Sequence, residues 1–228
     1  MRITTCVFDA YGTLFDVAAA ARQAAVEPAF ASIKDTWPQL AEFWRQKQLQ
    51  YTWLRAITGA HTDFWGVTQD GLDWALERMG QDGDAALRQR LLDLYWELQA
   101  YPEVPDMLRA LKNGGMQTAV LSNGSPAMLE AAMKSAGIAE LLDDCLSVES
   151  VGIFKPDSRV YDLVANRFGC ARDEVLFASS NGWDAAGASG YGFTTVWVNR
   201  AKEPVDRLPW QPAHQMADLT GIPALVGV

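Results

Sequence analysis

Four short stretches of the sequence place polar side chains beside apolar runs, where catalytic residues of a sheet are often found. They supply carboxylates, hydroxyls, amides and an ammonium at Asp9, Ser122, Asn123, Lys155, Ser179, Asn181 and Asp184. A carboxylate surrounded by such groups suits nucleophilic catalysis. The spacing alone leaves a second interpretation equally open, in which Asp9 only caps a turn.

The apolar pattern predicts the elements that position these groups. After Pro105, helices and strands alternate, which is typical of an α/β, doubly wound parallel sheet with crossover helices. Ligands bind beyond the carboxyl ends of the strands in such a sheet, so we expect the polar stretches to converge on one crevice. The predicted strands cover residues 3–8, 117–122, 145–148, 175–179 and 194–198, and the predicted helices cover 105–113, 126–137 and 158–168.

The long segment after the first strand has a different pattern of apolar residues. From residue 16 to residue 99 no comparable strand is evident, and helical periodicity dominates, with breaks at Pro38 and Gly59. We predict an inserted all-helical cap domain over residues 16–99. The α/β core domain then comprises residues 1–15 and 100–228, and the cap could lie over the crevice.

Composition restricts the class of protein. Lys and Arg total 19 against 28 Asp and Glu, and the net charge of -9 argues against binding nucleic acid or an anionic membrane surface. No apolar run approaches the roughly 18 residues of a membrane span, and the amino terminus reads directly into a strand, so we expect a cytoplasmic protein. The 3 cysteines are too scattered for a disulfide framework or a zinc site, and the 2 histidines lack neighbours at metal-ligand spacing.

Five segments give the chain a family resemblance. Four of them cover residues 7–16, 121–124, 154–157 and 179–184, and the fifth is Trp44-Arg45-Gln46-Lys47-Gln48-Leu49. Over its whole length the chain resembles the haloacid dehalogenase (HAD) superfamily, and within it the L-2-haloacid dehalogenases, which the fifth segment matches in particular. The resemblance implies a Rossmann-like core with a helical cap inserted after the first strand. It favours Asp9 as a nucleophile over Asp9 as a turn cap.

Two departures from the phosphatases of the superfamily favour a dehalogenase. The residue two after Asp9 is Tyr11, where a phosphatase of this kind has an aspartate that protonates the leaving alcohol. Ser179 and Ser180 replace the Gly-Asp of the magnesium loop, of which only Asp184 remains. A halide leaves without a proton, and a carbon electrophile has no phosphoryl charge for Mg²⁺ to neutralise. We therefore expect no metal and no organic cofactor, with a HAD-type small-molecule phosphatase as the alternative.

The resemblance implies a hydrolytic dehalogenation of short (S)-2-haloalkanoic acids. Asp9 would attack C2 in an SN2 step, expel the halide and form an aspartyl ester, which water hydrolyses to the (R)-2-hydroxy acid. Thr13 would orient Asp9, and Lys155 would keep it ionised. A rival of another class is a phospho-receiver binding module, against which the insertion directly after the first strand argues.

The remaining groups would hold the substrate. Ser122 and neighbouring backbone amides would bind the carboxylate of the haloacid, with Lys155 as a further option, and Arg45 and Asn123 would receive the halide. Asp184 would either activate the hydrolytic water or only pair with Lys155, and Tyr161 is either an active-site residue or a core aromatic.

The resemblance also supplies further site positions and the expected partners. Two more active-site positions are Ser179 and Asn181, and the pocket wall would comprise Tyr11, Gln46, Leu49, Phe64 and Trp183. His61 is expected on the surface of the cap. The expected partners are the haloacid substrate and the halide product, with no nucleic acid and no membrane, and a homodimer is one option.

Overall fold

Six strands form a wholly parallel sheet at the centre of the computed structural model, which describes residues 2–228. They are β1 (Thr5–Phe8), β2 (Gln117–Ser122), β3 (Asp144–Ser147), β4 (Val175–Ser179), β5 (Thr194–Val198) and β6 (His214–Met216). Across the sheet the order is β3-β2-β1-β4-β5-β6. The predicted doubly wound α/β fold class is confirmed. The apolar pattern does not predict β6, because Met216 is the only apolar residue among its three.

The strand order reverses at β1, which has β2 on one side and β4 on the other. Phe8, the last residue of β1, lies opposite Val120 of β2 and Ala178 of β4. The backbone nitrogen of Asp9 still donates to the carbonyl of Ala178, at 2.9 Å. Such a switch point leaves a crevice beyond the carboxyl ends of the strands. Asp9 lies at the edge of that crevice.

Between β1 and β2 the chain first forms four α-helices. They are α1 (Ala19–Ala24), α2 (Trp37–Thr58), α3 (Phe64–Arg78) and α4 (Ala85–Trp96), with a 3-10 turn at Pro28–Ile33. Helix α2 packs along α3, and α1 packs against both α4 and α2. Residues 16–99 contain helices and turns and, all of them being described, no strand.

Helix α2 is the longest helix and carries the segment Trp44-Arg45-Gln46-Lys47-Gln48-Leu49. It begins with Pro38 in its first turn and ends at Gly59, whose φ of 67° is the left-handed conformation that glycine adopts without strain. Its buried row repeats every four residues and consists of Leu40, Trp44, Gln48 and Thr52. The polar side chains of Gln48 and Thr52 therefore face the interior of the helical insertion.

Five further helices accompany the strands after the insertion. They are α5 (Val104–Asn113), α6 (Pro126–Ser135), α7 (Ser158–Phe168), α8 (Gly182–Tyr191) and α9 (Ile222–Val226). The sequence pattern does not predict α8, whose glycines and alanines give little apolar periodicity. A Cβ atom on Gly187 of α8 would lie 2.9 Å from Cβ of Pro156 and 3.1 Å from the hydroxyl of Tyr161. Helix α8 therefore packs directly on the segment that follows Lys155.

None of the helices within residues 2–228 combines the length and the apolar character that crossing a bilayer requires.

Gly124, just after β2, allows the backbone to approach the ring of Tyr11 closely. A Cβ atom there would lie 2.8 Å from Cε2 of Tyr11 and 3.0 Å from Cδ2 of Leu129, both of them buried residues. We expect Gly124→Ala to lower the free energy of unfolding by about 1–3 kcal/mol, because the packed neighbours must shift. Urea denaturation followed by circular dichroism measures the change.

Gly83→Ala provides the matched control. A Cβ atom on Gly83 would meet nothing within 4 Å, so the free energy of unfolding should stay within about 0.5 kcal/mol of the parent value. Equal losses for the two variants would contradict the close approach at Gly124.

Candidate active site

The carboxylate of Asp9 is buried and held by three donors. Only 6% of the residue is exposed. Its Oδ2 accepts hydrogen bonds from Thr13 Oγ1 at 2.9 Å and from Asn181 Nδ2 at 3.1 Å. Its Oδ1 accepts from Lys155 Nζ at 3.2 Å. Donors on both oxygens fix the orientation of the carboxylate.

A tight turn after β1 brings Thr13 back to Asp9. Gly12 has a φ of 88°, and its backbone nitrogen donates to the carbonyl of Phe15 at 2.8 Å. The Thr13 hydroxyl accepts from the backbone nitrogen of Ser180 at 2.7 Å. A carboxylate oxygen only accepts, so the single hydroxyl proton of Thr13 is directed to Asp9. Thr13 thereby joins the end of β1 to the end of β4.

Lys155 is fully enclosed and contacts two carboxylates. Its Nζ lies 3.2 Å from Oδ1 of Asp9 and 2.9 Å from Oδ2 of Asp184, and only 1% of the residue is exposed. Burial alone would lower the pKa of the ammonium, but the charges of Asp184 and Asp9 outweigh it, and the pKa is raised above its usual value. Lys155 therefore keeps its proton and remains a cation in the site.

Asp184, in the first turn of α8, is completely buried. Tyr161 donates its hydroxyl proton to Oδ1 of Asp184 at 2.8 Å, while Lys155 occupies Oδ2. Burial raises the pKa of the Asp184 carboxyl, although the charge of Lys155 opposes the rise. Burial also raises the pKa of Tyr161, so its hydroxyl stays protonated and acts as a donor. The ring of Tyr161 packs among core aromatics and its hydroxyl belongs to this cluster.

Ser122, Asn123 and Ser179 lie at the ends of β2 and β4, and each accepts a backbone hydrogen bond. Ser122 Oγ accepts from Gly124 N at 3.0 Å, Asn123 Oδ1 from Lys155 N at 3.0 Å, and Ser179 Oγ from Asn181 N at 3.2 Å. The hydroxyl proton of Ser122 and the amide protons of Asn123 find no acceptor in the part of the chain that the structure describes. They are two donors available to an anion.

Arg45 extends from α2 to the end of the sheet. Its Nη2 donates to the carbonyl of Tyr11 at 2.8 Å and to Asn181 Oδ1 at 3.1 Å, and its Nη1 donates to Gln48 Oε1 at 3.4 Å. All three acceptors are neutral, and no carboxylate of residues 2–228 forms an ion pair with this half-buried guanidinium. A partly buried cation without a counter-charge is suited to bind an anion.

Aromatic rings lie beside the polar cluster. Tyr11 stacks on Tyr95 with ring centroids 5.5 Å apart and contacts Phe64 at the same distance. Trp183 meets Trp53 edge to face at 5.3 Å. The hydroxyl of Tyr11 and the Nε1 of Trp183 are buried and have no partner among residues 2–228. Because an unpaired buried donor is costly, both groups are suited to contact a ligand.

The structure does not bring every predicted wall residue to this cluster. Leu49 is half-buried one helical turn after Arg45. Gln46 is exposed and donates to Glu42 on its own helix at 2.8 Å. The place of Gln46 in the pocket wall stays a prediction, which this exposed position does not support. The buried row of α2 passes through Gln48, and a helix of 3.6 residues per turn directs residue 46 to the opposite side.

His61 also differs from its expected position on the cap surface. Its Nε2 lies 3.0 Å from Glu149 Oε2, and its ring centroid is 4.8 Å from that of Phe154. Glu149 in turn accepts from the backbone nitrogen of Phe64 at 3.3 Å. His61 thus links the start of α3 to the segment after β3. Nothing in the sequence pairs residue 61 with residue 149, which lies far along the chain.

The donor set does not fit a magnesium ion. Both carboxylates of the cluster are already paired with Lys155, and Ser179 and Ser180 offer neutral hydroxyls where a divalent cation prefers charged oxygens. Across the described chain, no three His, Cys, Asp or Glu side chains are grouped so that they could hold a metal ion.

Comparisons with known proteins agree with this geometry. The family model of haloacid dehalogenase-like hydrolases matches residues 3–192. The (S)-2-haloacid dehalogenase 1 of Pseudomonas sp. (strain CBS-3) is 43% identical, and the match covers 98% of this chain and 96% of the relative. The (S)-2-haloacid dehalogenase 4A of Burkholderia cepacia is 41% identical over 96% of this chain and 92% of its own.

A solved structure shares the fold throughout. The L-2-haloacid dehalogenase from Xanthobacter autotrophicus, with chloropropionic acid covalently bound, superimposes with a TM-score of 0.88 at 34% identity and covers 99% of this chain and 98% of its own. These matches confirm the resemblance that the sequence motifs indicate. The chain belongs to the haloacid dehalogenase-like hydrolase family.

Proposed function

We propose that this chain hydrolyses short (S)-2-haloalkanoic acids to (R)-2-hydroxyalkanoic acids and halide. The observation that carries the proposal is the buried carboxylate of Asp9, held by three donors beside an arginine without a counter-charge. The names of the relatives support this substrate class, and the covalently bound chloropropionic acid of one of them supports a covalent intermediate.

In the first step an oxygen of Asp9 forms a bond to C2 as the carbon–halogen bond breaks. The electron pair leaves with the halide, and the configuration at C2 inverts. Thr13 and Asn181 hold the carboxylate in line for attack, which lowers the entropic cost of the step. No acid is needed at Tyr11, because a halide departs without a proton.

Arg45 and Asn123 receive the halide in this proposal, and Ser122 with neighbouring backbone amides holds the substrate carboxylate. The guanidinium of Arg45 has only neutral acceptors, so its charge is available to a departing anion. The aromatic wall around Tyr11 and Phe64 supports a small substrate and excludes water, which strengthens these electrostatic contacts.

In the second step water attacks the carbonyl carbon of the Asp9 ester. One proton of the water goes to the departing alkoxide, which becomes the product hydroxyl, and the other goes to a base. Asp184 is our assignment for that base, because its raised pKa makes it a stronger base than an ordinary aspartate. Asp184 Oδ2 and Asp9 Oδ1 contact the same Lys155 nitrogen, at 2.9 and 3.2 Å, so the two oxygens are closer together than the sum of these distances.

The arrangement of domains is part of the same proposal. Residues 16–99 would act as a cap over a core of residues 1–15 and 100–228, with Arg45 as the cap residue that reaches the chemistry. Action in the cytoplasm and assembly into a homodimer stay predictions.

Replacing the nucleophile gives the first test of the function. We expect Asp9→Asn to abolish halide release from (S)-2-chloropropanoate, because a neutral amide does not displace halide. Asp82→Asn, at an exposed position in the loop before α4, is the matched control and should retain full activity. A folded Asp9→Asn variant with more than a small residual activity would overturn the covalent mechanism.

Heavy-oxygen water distinguishes the covalent route from direct attack by water. In a single turnover with enzyme in excess, the label should enter the Asp9 carboxylate, as mass spectrometry of the peptide would show. Label found only in the hydroxy acid would contradict the ester intermediate.

Chelation tests the magnesium phosphatase alternative. We expect chloride release to continue unchanged in excess EDTA, because the carboxylates of the site are paired with Lys155. Loss of activity with EDTA, restored by Mg²⁺, would favour the phosphatase chemistry.

Tyr161→Phe tests the coupling of the site to pH. The Tyr161 hydroxyl donates to the charged form of Asp184, and its loss raises the pKa of that carboxyl further. Asp184 then takes up a proton at a higher pH, so the acidic limb of the kcat profile should move to higher pH. Tyr191→Phe is the control, because its ring packs on Tyr161 but its hydroxyl donates to Asp162. An acidic limb that moves equally in both variants would count against a specific contact with Asp184.

A further inference from the structure

Gln48 is a buried polar residue on the inner row of α2, and the proposed chemistry does not use it directly. Only 1% of it is exposed. It lies three residues after Arg45, so the two side chains are neighbours on one face of the helix. A buried amide must find partners for its polar atoms, and each partner of Gln48 restricts its orientation.

Thr68 determines the orientation of the Gln48 side-chain amide. The Thr68 hydroxyl donates its only proton to the carbonyl of Phe64, at 2.7 Å, so it is an acceptor toward Gln48. Gln48 Nε2 lies 2.8 Å from that hydroxyl and 3.0 Å from the hydroxyl of Tyr95. With the nitrogen directed there, Oε1 of Gln48 faces Arg45 Nη1 at 3.4 Å, and the Tyr95 hydroxyl lies at the same distance from it.

The guanidinium of Arg45 is therefore held on both of its branches. Nη2 binds the ends of the sheet through the Tyr11 carbonyl and Asn181 Oδ1, and Nη1 binds Gln48. Gln48 Oε1 is the acceptor of Nη1 within residues 2–228. A long arginine side chain has many rotamers, and an acceptor on each branch confines it to one of them.

The acceptor of Arg45 Nη1 is the neutral amide oxygen of Gln48, which leaves the charge of the guanidinium unpaired. A carboxylate at position 48 would hold the guanidinium more strongly, but it would also neutralise the charge that attracts an anion. An amide oxygen orients the cation and leaves its charge in place.

We propose that Gln48 is a positioning residue for Arg45 and, through it, determines how well the site accepts the departing halide. The inference rests on the proposed dehalogenation for its kinetic part. Its binding part concerns the anion site at Arg45 and needs no turnover.

Two pairs of variants test the chain of contacts. Gln48→Met keeps the size of the side chain and removes the acceptor, and Gln48→Glu keeps the acceptor and adds a negative charge. Thr68→Val removes the group that orients the amide, and Thr68→Ser restores it. Thr52→Val is the matched control, because Thr52 is also a buried helical threonine of the insertion but its hydroxyl bonds only the carbonyl of Leu49.

The kinetic readout is kcat/KM for (S)-2-chloropropanoate and (S)-2-bromopropanoate, which covers the steps up to halide departure. We expect Gln48→Met to lower it about 10- to 100-fold for the chloro acid, because a misplaced Arg45 no longer meets the halide. The loss should be smaller for the bromo acid, since bromide is the better leaving group and needs less assistance. Thr68→Val should show the same pattern with a smaller loss, and Thr68→Ser should recover the parent values.

The second measurement is the affinity of the protein for bromide, determined by isothermal titration calorimetry. Bromide affinity should fall in Gln48→Met, fall further in Gln48→Glu, and stay unchanged in Thr52→Val. Equal losses for both substrates with unchanged bromide affinity would reduce Gln48 to a packing residue and overturn the inference. If the parent protein releases no halide, the dehalogenase proposal fails, and the bromide titration of the same variants still decides the role of Gln48.

Discussion

The ammonium of Lys155, buried between Asp9 and Asp184, is the interaction on which the site depends. Removing one partner from a buried ion pair leaves an uncompensated charge that costs about 3–5 kcal/mol, so the three residues act as one unit. Two carboxylates and one ammonium leave that unit with one excess negative charge. Forming the ester at Asp9 removes the excess, because the negative charge departs with the halide. The ion cluster is thus arranged so that the nucleophilic step relieves a charge imbalance within the protein.

Parallel sheet geometry explains how much of this cluster could be predicted from the sequence. Strands β2, β4 and β5 and helix α7 have the bounds expected from their apolar patterns. Because neighbouring parallel strands end at one edge, residues as distant in sequence as Asp9, Lys155 and Asp184 meet beyond that edge. The alternation of helices and strands therefore predicts the place of the site, and the residue types at the strand ends predict its charges.

The helical insertion was harder to predict, because helices do not have to end at one common edge. Gln46 and Gln48 are the same residue type two positions apart, yet one is exposed and the other is buried. Only the packing of α2 against α3 decides between them, and the weak apolar periodicity of α2 does not encode that packing. The contact of His61 with Glu149 likewise depends on how the insertion lies on the core.

Asn181 lies between the carboxylate of Asp9 and the guanidinium of Arg45 and prevents a direct ion pair between them. Its Nδ2 donates to Asp9, and its Oδ1 accepts from Arg45, so the nucleophile and the guanidinium are joined through a neutral amide. A direct ion pair between Asp9 and Arg45 would neutralise the guanidinium and so weaken its attraction for an anion. The amide holds both groups in place and leaves the charge of Arg45 available to the departing halide. Gln48 does the same for the other branch of Arg45, so the cation is oriented on both branches by oxygens that do not neutralise it.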